Sequence, residues 1–475
     1  MFTCLWHDIV AQETTHALLD GLHRRFVEPT HPDVWALPQA FADVVALFQH
    51  FSHPGVLRHR IARTGGDLER QNLLAELAYQ FGQAIGRYGA LRSALGRADP
   101  VTKEWIRETP DPQKILQTSE PHARGAILVA ALFEAFVTIY KRRIADLLRI
   151  ASSGSGVLHP DLVERLAQEA SKAAGYVLHM CIRALDYCPP LDVDFGDTLR
   201  ALITADANLV ASDRFSYRLA LIEAFRRRGI YPPDVRSLSE ESLVLHAPCE
   251  VEQKALGGVF GSPERLAQLV PEWGLTTSQA DIYDRAEKSP AMLHGWFVTP
   301  EGRAAAGAAH LVLDEKAPQA FYRTCRGVPM FEVHSVRPAR RIGPPGQTVT
   351  EPVVEMTQRR RGYYDPELQE RVDGARSSPP QPDFIFCGGY TLLVDPVTAQ
   401  VRYCVFKRIL SENRLARTRR FLTGDEEPSL QATHFRDPRR TFFQRMVARA
   451  QRVEGEAGVE PFALLHRSFE SEEML

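Results

Sequence analysis

The sequence predicts an α+β protein with a mainly helical N-terminal half and a mixed C-terminal half. Three observations support this prediction. Runs of residues with the helical spacing of apolar side chains fill residues 1–231. The sequence Tyr231-Pro232-Pro233 then marks a change in character. Near the end, two β-rich runs flank a turn in residues 384–408, which is the pattern of a hairpin.

The helices of the first half are predicted from apolar residues that recur every three or four positions. Residues 39–51 have one broad apolar face of this kind. In the next run, residues 72–95, the glycines indicate close packing against another helix. Residues 122–151 form the longest apolar run. We therefore expect a central core helix there.

Two further runs carry the start and stop signals of helices. Residues 159–188 begin near a proline and stop before a pair of prolines. A later helix is expected to begin at Ser212 or Asp213 and to end at Gly229, because these residue types favour helix caps. Both predictions extend the helical half to the boundary near residue 231.

The chain is expected to divide into three segments, namely residues 1–231, 232–345 and 346–475. In the middle segment, the sequence predicts only a helix near residues 263–270 and short strands around residues 291–334. The last segment is predicted to be a small α+β domain with the hairpin and a C-terminal helix in residues 439–456.

Composition limits the classes of function. The 475 residues carry a net charge of −2, which gives no reason to expect a nucleic-acid partner or an anionic membrane. Seven scattered cysteines without a C-x-x-C pair argue against a disulfide framework and a cysteine zinc site. We find no signal peptide and no run of about 18 apolar residues. These features predict a cytoplasmic protein.

The segment "QETTH" (residues 12–16) differs in one letter from the zinc-binding pattern H-E-x-x-H. In that pattern two histidines one helical turn apart bind one ion, and the glutamate deprotonates the metal-bound water. Here Glu13 has the place of the base and His16 that of the second ligand. Gln12 stands where the first histidine belongs.

Two more segments follow in order, "PQAFAD" (residues 38–43) and "EPHARGAILVAALFEAF" (residues 120–136). Together the three segments resemble the motifs of thermolysin-like, gluzincin-clan zinc metallopeptidases, over roughly residues 5–230. The resemblance implies that Gln39 replaces a glutamate that is the third ligand. It also implies that Asp43 supports a ligating histidine and that His122 binds the oxyanion.

The chain departs from that family in three ways. Gln12 and Gln39 are amides, which are weak and uncharged donors compared with an imidazole and a carboxylate. His16 is then a single remaining ligand. The β-rich lobe that precedes the zinc helix in the family is expected to be missing. Bacterial cytoplasmic thermolysin-like proteins are the expected relatives, and zinc is expected to be lost.

Other interpretations of the same residues need no metal. Glu13 and His16 can be polar residues of an amphipathic helix. Asp20 and His23 lie at helical spacings from them, either as substitute ligands or, as we favour, as a hydrogen-bonded pair that lines the former cleft. Asp43 can hydrogen-bond to Gln12 instead of a ligating histidine.

Three other features have structural interpretations. His122 can cap its helix, with Glu120 beside the positive helix end. Cys181 and Cys188 are expected to be buried apolar residues. The basic runs in residues 359–361, 414–420 and 436–452 are expected to be solvated faces, and the last has the spacing of an amphipathic docking helix.

Three functional hypotheses result. The favoured one is a catalytically inactive metallopeptidase-like protein, a pseudopeptidase, that binds a protein or peptide partner as a scaffold. The second is an active zinc peptidase in which Glu13 activates water, His122 steadies the oxyanion and His16 binds the metal with substitute ligands. The third places an interaction function in the C-terminal region. The oligomeric state and the partner stay open.

Overall fold

A computed structural model gives the fold for most of the chain. It describes residues 7–23, 25–26, 28, 30–66, 68, 96–98, 105–151, 158–210, 212–270, 278–314, 317–342, 348–374 and 379–423. The helices predicted in residues 72–95 and 439–456, and the basic run in residues 436–452, lie outside the described residues.

The α+β class is confirmed, with helices in the first half and an antiparallel sheet in the second. The helices before residue 231 are α1 (His7–Leu22), α2 (Pro32–Gln49), α3 (Pro54–Thr64), α4 (Lys114–Gln117), α5 (Pro121–Ala151), α6 (Pro160–Ala184), α7 (Phe195–Ala207) and α8 (Tyr217–Arg226). Two short strands, β1 (Gly96–Ala98) and β2 (Trp105–Arg107), pair antiparallel between α3 and α4. Several of these helices begin at a proline, whose missing N–H costs nothing in the first helical turn.

Helix α5 is the predicted central helix. Its middle residues, from Ala126 to Tyr140, are almost all buried. By length and composition α5 is also apolar enough to cross a membrane, which the sequence analysis did not find. However, 83% of its most apolar window is buried inside the protein, as in the core helix of a soluble protein.

The cap predicted for α8 was wrong in its position. The helix begins at Tyr217, after Ser216 in a left-handed conformation (φ 54°). Asp213 nevertheless contributes, because its carboxylate accepts hydrogen bonds from the backbone amides of Tyr217 (2.8 Å) and Arg218 (2.9 Å). Gly229, at φ 70°, follows the helix as expected.

The middle of the chain is helical where strands were expected. The helices after residue 231 are α9 (Glu240–Leu243), α10 (Glu250–Phe260), α11 (Pro263–Leu269), α12 (Gln279–Val298), α13 (Pro300–Ala308), α14 (Pro366–Gly374) and α15 (Glu412–Thr423). The prediction for residues 263–270 is confirmed. The strands expected around residues 291–334 were wrong as far as residue 308, because Ser278 and Thr299 cap helices whose apolar residues pack together. At the other end of that range, β3 does begin at Phe331.

The sheet has four antiparallel strands in chain order, β3 (Phe331–Ile342), β4 (Thr348–Gly362), β5 (Phe384–Val394) and β6 (Val401–Lys407). The hairpin predicted in residues 384–408 is β5–β6. The predicted hairpin is therefore half of a four-stranded sheet. The full extent of β3 and β4 was not predicted.

The sheet lies between two helical layers, because alternate residues of a strand point to opposite faces. Met356, Tyr390 and Leu392 belong to one apolar core with residues of α10–α13. Val353 and Leu393, on the other face, belong to the core of the N-terminal helices. The N-terminal half is therefore packed directly on the sheet.

Two basic runs that were expected to be solvated are buried or half-buried. In residues 359–361, Arg360 lies in β4 with 2% exposure and pairs with Asp373 and Glu412. In residues 414–420, Arg414 and Arg417 lie in α15 and both pair with the buried Asp192. The local sequence could not show these acidic partners, which are distant along the chain.

Candidate functional site

The candidate site lies where α1 packs on α2. Helix α1 buries Gln12, Thr15, His16 and Leu19, and His23, directly after the helix, continues this three- and four-residue spacing. Near the start of α1, the side-chain Nε2 of Gln12 donates a hydrogen bond of 2.9 Å to the carboxylate of Asp43, near the end of α2. The two helices therefore pack antiparallel, and the hydrogen bond predicted between Gln12 and Asp43 is present.

Gln39 lies one helical turn before Asp43 on α2 and is fully buried. Neither its amide oxygen nor its amide nitrogen has a hydrogen-bond partner among the described residues. An unsatisfied buried amide costs about 1–3 kcal/mol. The described residues thus leave the polar atoms of Gln39 without a hydrogen bond.

His16 lies one turn after Gln12 and is 3% exposed. Because α1 and α2 are antiparallel and position 12 is level with position 43, His16 is level with Gln39. Glu13 differs from both in lying on the exposed side of α1. Partial burial nevertheless raises the pKa of Glu13 above its ordinary value.

His122 lies at the start of α5, where it contacts Glu120. Its Nδ1 is 2.9 Å from the Glu120 carboxylate, which also accepts hydrogen bonds from the backbone amides of His122 and Ala123. Burial raises the pKa of Glu120, but these hydrogen bonds more than offset it, so the pKa is below its ordinary value. The helix cap is therefore Glu120, and the idea that His122 itself caps the helix was wrong.

Asp43 connects the two parts of the site. Its removal from water raises the pKa of its carboxyl to about 7, and the nearby His122 opposes that shift. His122 is thus within electrostatic range of Asp43. The structure brings together Gln12, Asp43 and His122, buries His16 and Gln39 on the same two helices, and places Glu13 on the exposed side of α1.

The pair favoured for Asp20 and His23 was wrong for His23. The Nδ1 of His23 lies 3.2 Å from the carboxylate of Glu355 on β4, and its ring stacks on Phe26. Asp20 is on the exposed side of α1. Because the buried face of α1 ends against the sheet, His23 joins the helix to the sheet and not to the former cleft.

The residues in place do not fit a zinc ion well. Zinc prefers histidine nitrogen, cysteine sulfur and carboxylate oxygen. His16 offers one such donor, whereas Gln12 and Gln39 offer neutral amides. Within the described residues, no group of three or more His, Cys, Asp and Glu side chains could hold a metal.

Sequence reasoning missed a buried charged cluster around Asp192, which we call the Asp192 cluster. It consists of Thr30, His31, Asp192, Arg414 and Arg417. Asp192 is fully buried; although burial raises its pKa, Arg414 and His31 hold the pKa well below its usual range. The signal was the acidic run "DVDFGD", which looked like an ordinary helix start.

A second charged group lies beside it. Lys407 on β6 is 7% exposed and lies 3.1 Å from Asp194 and 2.5 Å from Asp197. Asp194 and Asp197 also form the capping box of α7. Burial and the charge of Asp194 raise the pKa of Asp197 to about 6. This group joins the sheet to the helical half.

The expectation for the two cysteines of α6 and its 3-10 end is confirmed. Cys181 and Cys188 are buried and free. Burial raises the pKa of the Cys181 thiol to about 12. Neither thiol is therefore a reactive nucleophile at neutral pH.

No protein-family model, curated protein or solved structure matches this chain. The fold and the site define an α+β protein with a polar joint between its first two helices.

Proposed function

We propose that this chain is a metallopeptidase-like protein that does not hydrolyse peptides and serves as a binding scaffold for a protein or peptide partner. The observation that carries the proposal is the hydrogen bond from Gln12 to Asp43. In a zinc site of the resembled family, an aspartate at this place would accept a hydrogen bond from a ligating histidine. The Gln12 amide makes the same hydrogen bond to Asp43, but it lacks the imidazole nitrogen that would bind the metal.

The second amide follows the same physical reasoning. A glutamate at position 39 would place a negative charge in a fully buried position. With a metal ion the charge is balanced, whereas without one it is strongly unfavourable. Gln39 keeps the size of the side chain without the charge. The pair of amides at positions 12 and 39 therefore suits a helix joint that has no metal.

The proposal leaves Glu13 and His122 without catalytic roles. Glu13 would have no metal-bound water to deprotonate, and its exposed side chain lies at the rim. His122 stays bound to Glu120 at the start of α5. The partner would be recognised by the former cleft or by the C-terminal region of the chain.

The test restores the two ligands. The full-length wild-type protein is expected to contain near-zero zinc by elemental analysis after purification without added metal. The double variant Gln12→His plus Gln39→Glu is expected to hold about one zinc per chain, because it provides two imidazoles and a carboxylate. Adding His16→Ala to that variant serves as the matched control and should abolish the binding of zinc.

Two outcomes would overturn the proposal. Stoichiometric zinc and peptide cleavage by the wild-type protein would establish an active peptidase with an altered ligand set. A folded double variant that binds no zinc would mean that positions 12, 16 and 39 do not converge on one ion. The resemblance would then not extend to the site.

A further inference from the structure

The exposed side of α1 is an apolar surface, which we call the α1 stripe. Successive residues of a helix are about 100° apart, so residues spaced by three, four and seven share a face. The α1 stripe consists of Val10, Thr14, Ala17, Leu18, Gly21 and Leu22. It lies opposite the buried face that contacts α2. The exposed side of α1 is therefore more apolar than the side that packs on α2, which carries Gln12, Thr15 and His16.

No described residue covers the α1 stripe. Leu18 is 62% exposed, and Val10 and Leu22 are about half exposed. A Cβ added to Gly21 would meet no described heavy atom within 4 Å. Three large aliphatic side chains on one outward face lose the stabilisation that burial would give. Such a patch is typical of a docking surface.

The charge beside the α1 stripe is acidic. Helix α1 contains Asp8, Glu13 and Asp20 and has no lysine or arginine. Glu13 and Asp20 are seven residues apart, so they lie on the same edge of the stripe. An occupant with apolar residues and a basic edge would therefore match this surface.

One segment of this chain has that chemistry. Residues 436–452, "RDPRRTFFQRMVARAQR", contain six arginines and one aspartate. Phe442, Phe443, Met446 and Val447 recur at the spacing of one helical face. As a helix these 17 residues would be about 25 Å long, and the 16 residues of α1 are about 24 Å long.

The described chain ends close to the start of α2, the helix on which α1 packs. Phe421, in the last turn of α15, packs edge-to-face on Trp35 at 5.5 Å between ring centroids. Trp35 is in the first turns of α2, which are level with the C-terminal half of α1. Residues 424–435 separate α15 from the basic segment and can span up to about 40 Å when extended. The segment can therefore reach the whole α1 stripe.

We infer that residues 436–452 dock on the α1 stripe of their own chain. Their apolar residues cover Val10, Leu18 and Leu22, and their arginines pair with the acidic edge. The docked segment would lie next to Glu13, on the side of α1 that faces away from Gln12 and His16. This inference needs only the exposed face of α1 and the sequence of the segment, and does not rest on the loss of zinc.

The test is photo-crosslinking of the full-length protein. A benzoylphenylalanine in place of Leu18 is expected to form, on irradiation, a cross-link within one chain to residues 436–452. The matched control carries the same residue in place of Tyr283, which is 62% exposed on α12, and should not reach that segment. Peptide mass spectrometry identifies the linked residues.

A second variant separates docking from chance proximity. Phe443→Ser in the Leu18 probe should reduce the cross-link about tenfold, because it removes the apolar contact of one large side chain. Phe443 lies in the segment and not in the described fold, so the circular dichroism of the protein should stay unchanged. Salt of about 1 M should also lower the yield of the cross-link, since it screens the arginine–carboxylate pairs.

Two results would overturn the inference. Cross-links between two chains that increase with protein concentration would assign the α1 stripe to a second copy. Cross-links that avoid residues 436–452 at low concentration and low salt would show that the segment does not dock there. Whether the protein binds zinc affects neither cross-linking result. The docking inference and the proposed function can therefore fail separately.

Discussion

At the scale of single residues, Asp43 decides how the joint between α1 and α2 responds to pH. Its pKa is raised from an ordinary value of 3.8 to about 7 by removal from water, against the opposing effect of His122. The folded protein therefore favours the neutral carboxyl. Its contribution to stability is fully present below about pH 4 and is lost as the pH rises through 7.

The variant Asp43→Asn should remove this pH dependence. Asparagine stays neutral and keeps an oxygen that accepts the hydrogen bond from Gln12. The variant is expected to gain stability relative to the wild type between pH 4 and pH 7.5, as followed by urea unfolding at several pH values. Asp146→Asn is the control, because Asp146 is 76% exposed in its pair with Arg149. Parallel pH curves for the wild type and Asp43→Asn would contradict the assignment.

Part of the site could be predicted from the sequence, namely the contact between two helices that follow each other in the chain. The contact between Gln12 and Asp43 was expected because, in the resembled motifs, an aspartate at this place supports the histidine that Gln12 replaces. The contact between His23 and Glu355 was not expected, since no local pattern in α1 indicates a strand more than 300 residues away. For the same reason, the prediction that His23 pairs with its sequence neighbour Asp20 was wrong.

At the scale of elements, α15 is held to the N-terminal half by the Asp192 cluster. Arg414 lies 2.5 Å from the carboxylate of Asp192, and Arg417 lies 3.0 Å from it. The other partners of this fully buried carboxylate are Thr30 and His31. Helix α15 therefore supplies most of the positive charge that makes the burial of Asp192 tolerable.

Removing both arginines should leave Asp192 as a poorly compensated buried charge. The double variant Arg414→Ala plus Arg417→Ala is expected to be less stable by about 3–5 kcal/mol in urea unfolding. Arg420→Ala on the same helix is the control, because Arg420 is exposed, and it should change stability by less than about 0.5 kcal/mol. A loss below about 1 kcal/mol in the double variant would mean that solvent or other groups already compensate Asp192.

The elements show which parts of the fold a sequence reveals. Periodicity and caps predicted α2, α5, α6, α11 and the β5–β6 hairpin, because these signals lie within each element. The basic run of α15 was assigned to a solvated face because its acidic partner is 222 residues away. In α12, the local β-rich residues favoured a strand. The segment is nevertheless a helix, because its apolar residues pack against the sheet and α13.

At the scale of the whole molecule, the sheet is shared by the two helical layers. Val353 and Leu393 are part of the N-terminal core, Glu355 contacts His23, and Lys407 pairs with Asp197. A boundary at residue 231 would cut through these contacts. We therefore expect the N-terminal helices and the sheet to unfold as one cooperative unit.

The variant Lys407→Met tests this cooperativity. It leaves Asp194 and Asp197 buried without their lysine, which should cost about 3–5 kcal/mol. In native-state hydrogen exchange, the amides of α5 and those of β5 should lose the same protection, because both open through one global unfolding step. Lys172→Met is the control, since Lys172 is 60% exposed in its pair with Glu169. Loss of protection in β5 with α5 unchanged would mean that the helical half is stable without the sheet, and that the boundary near residue 231 separates two independent domains.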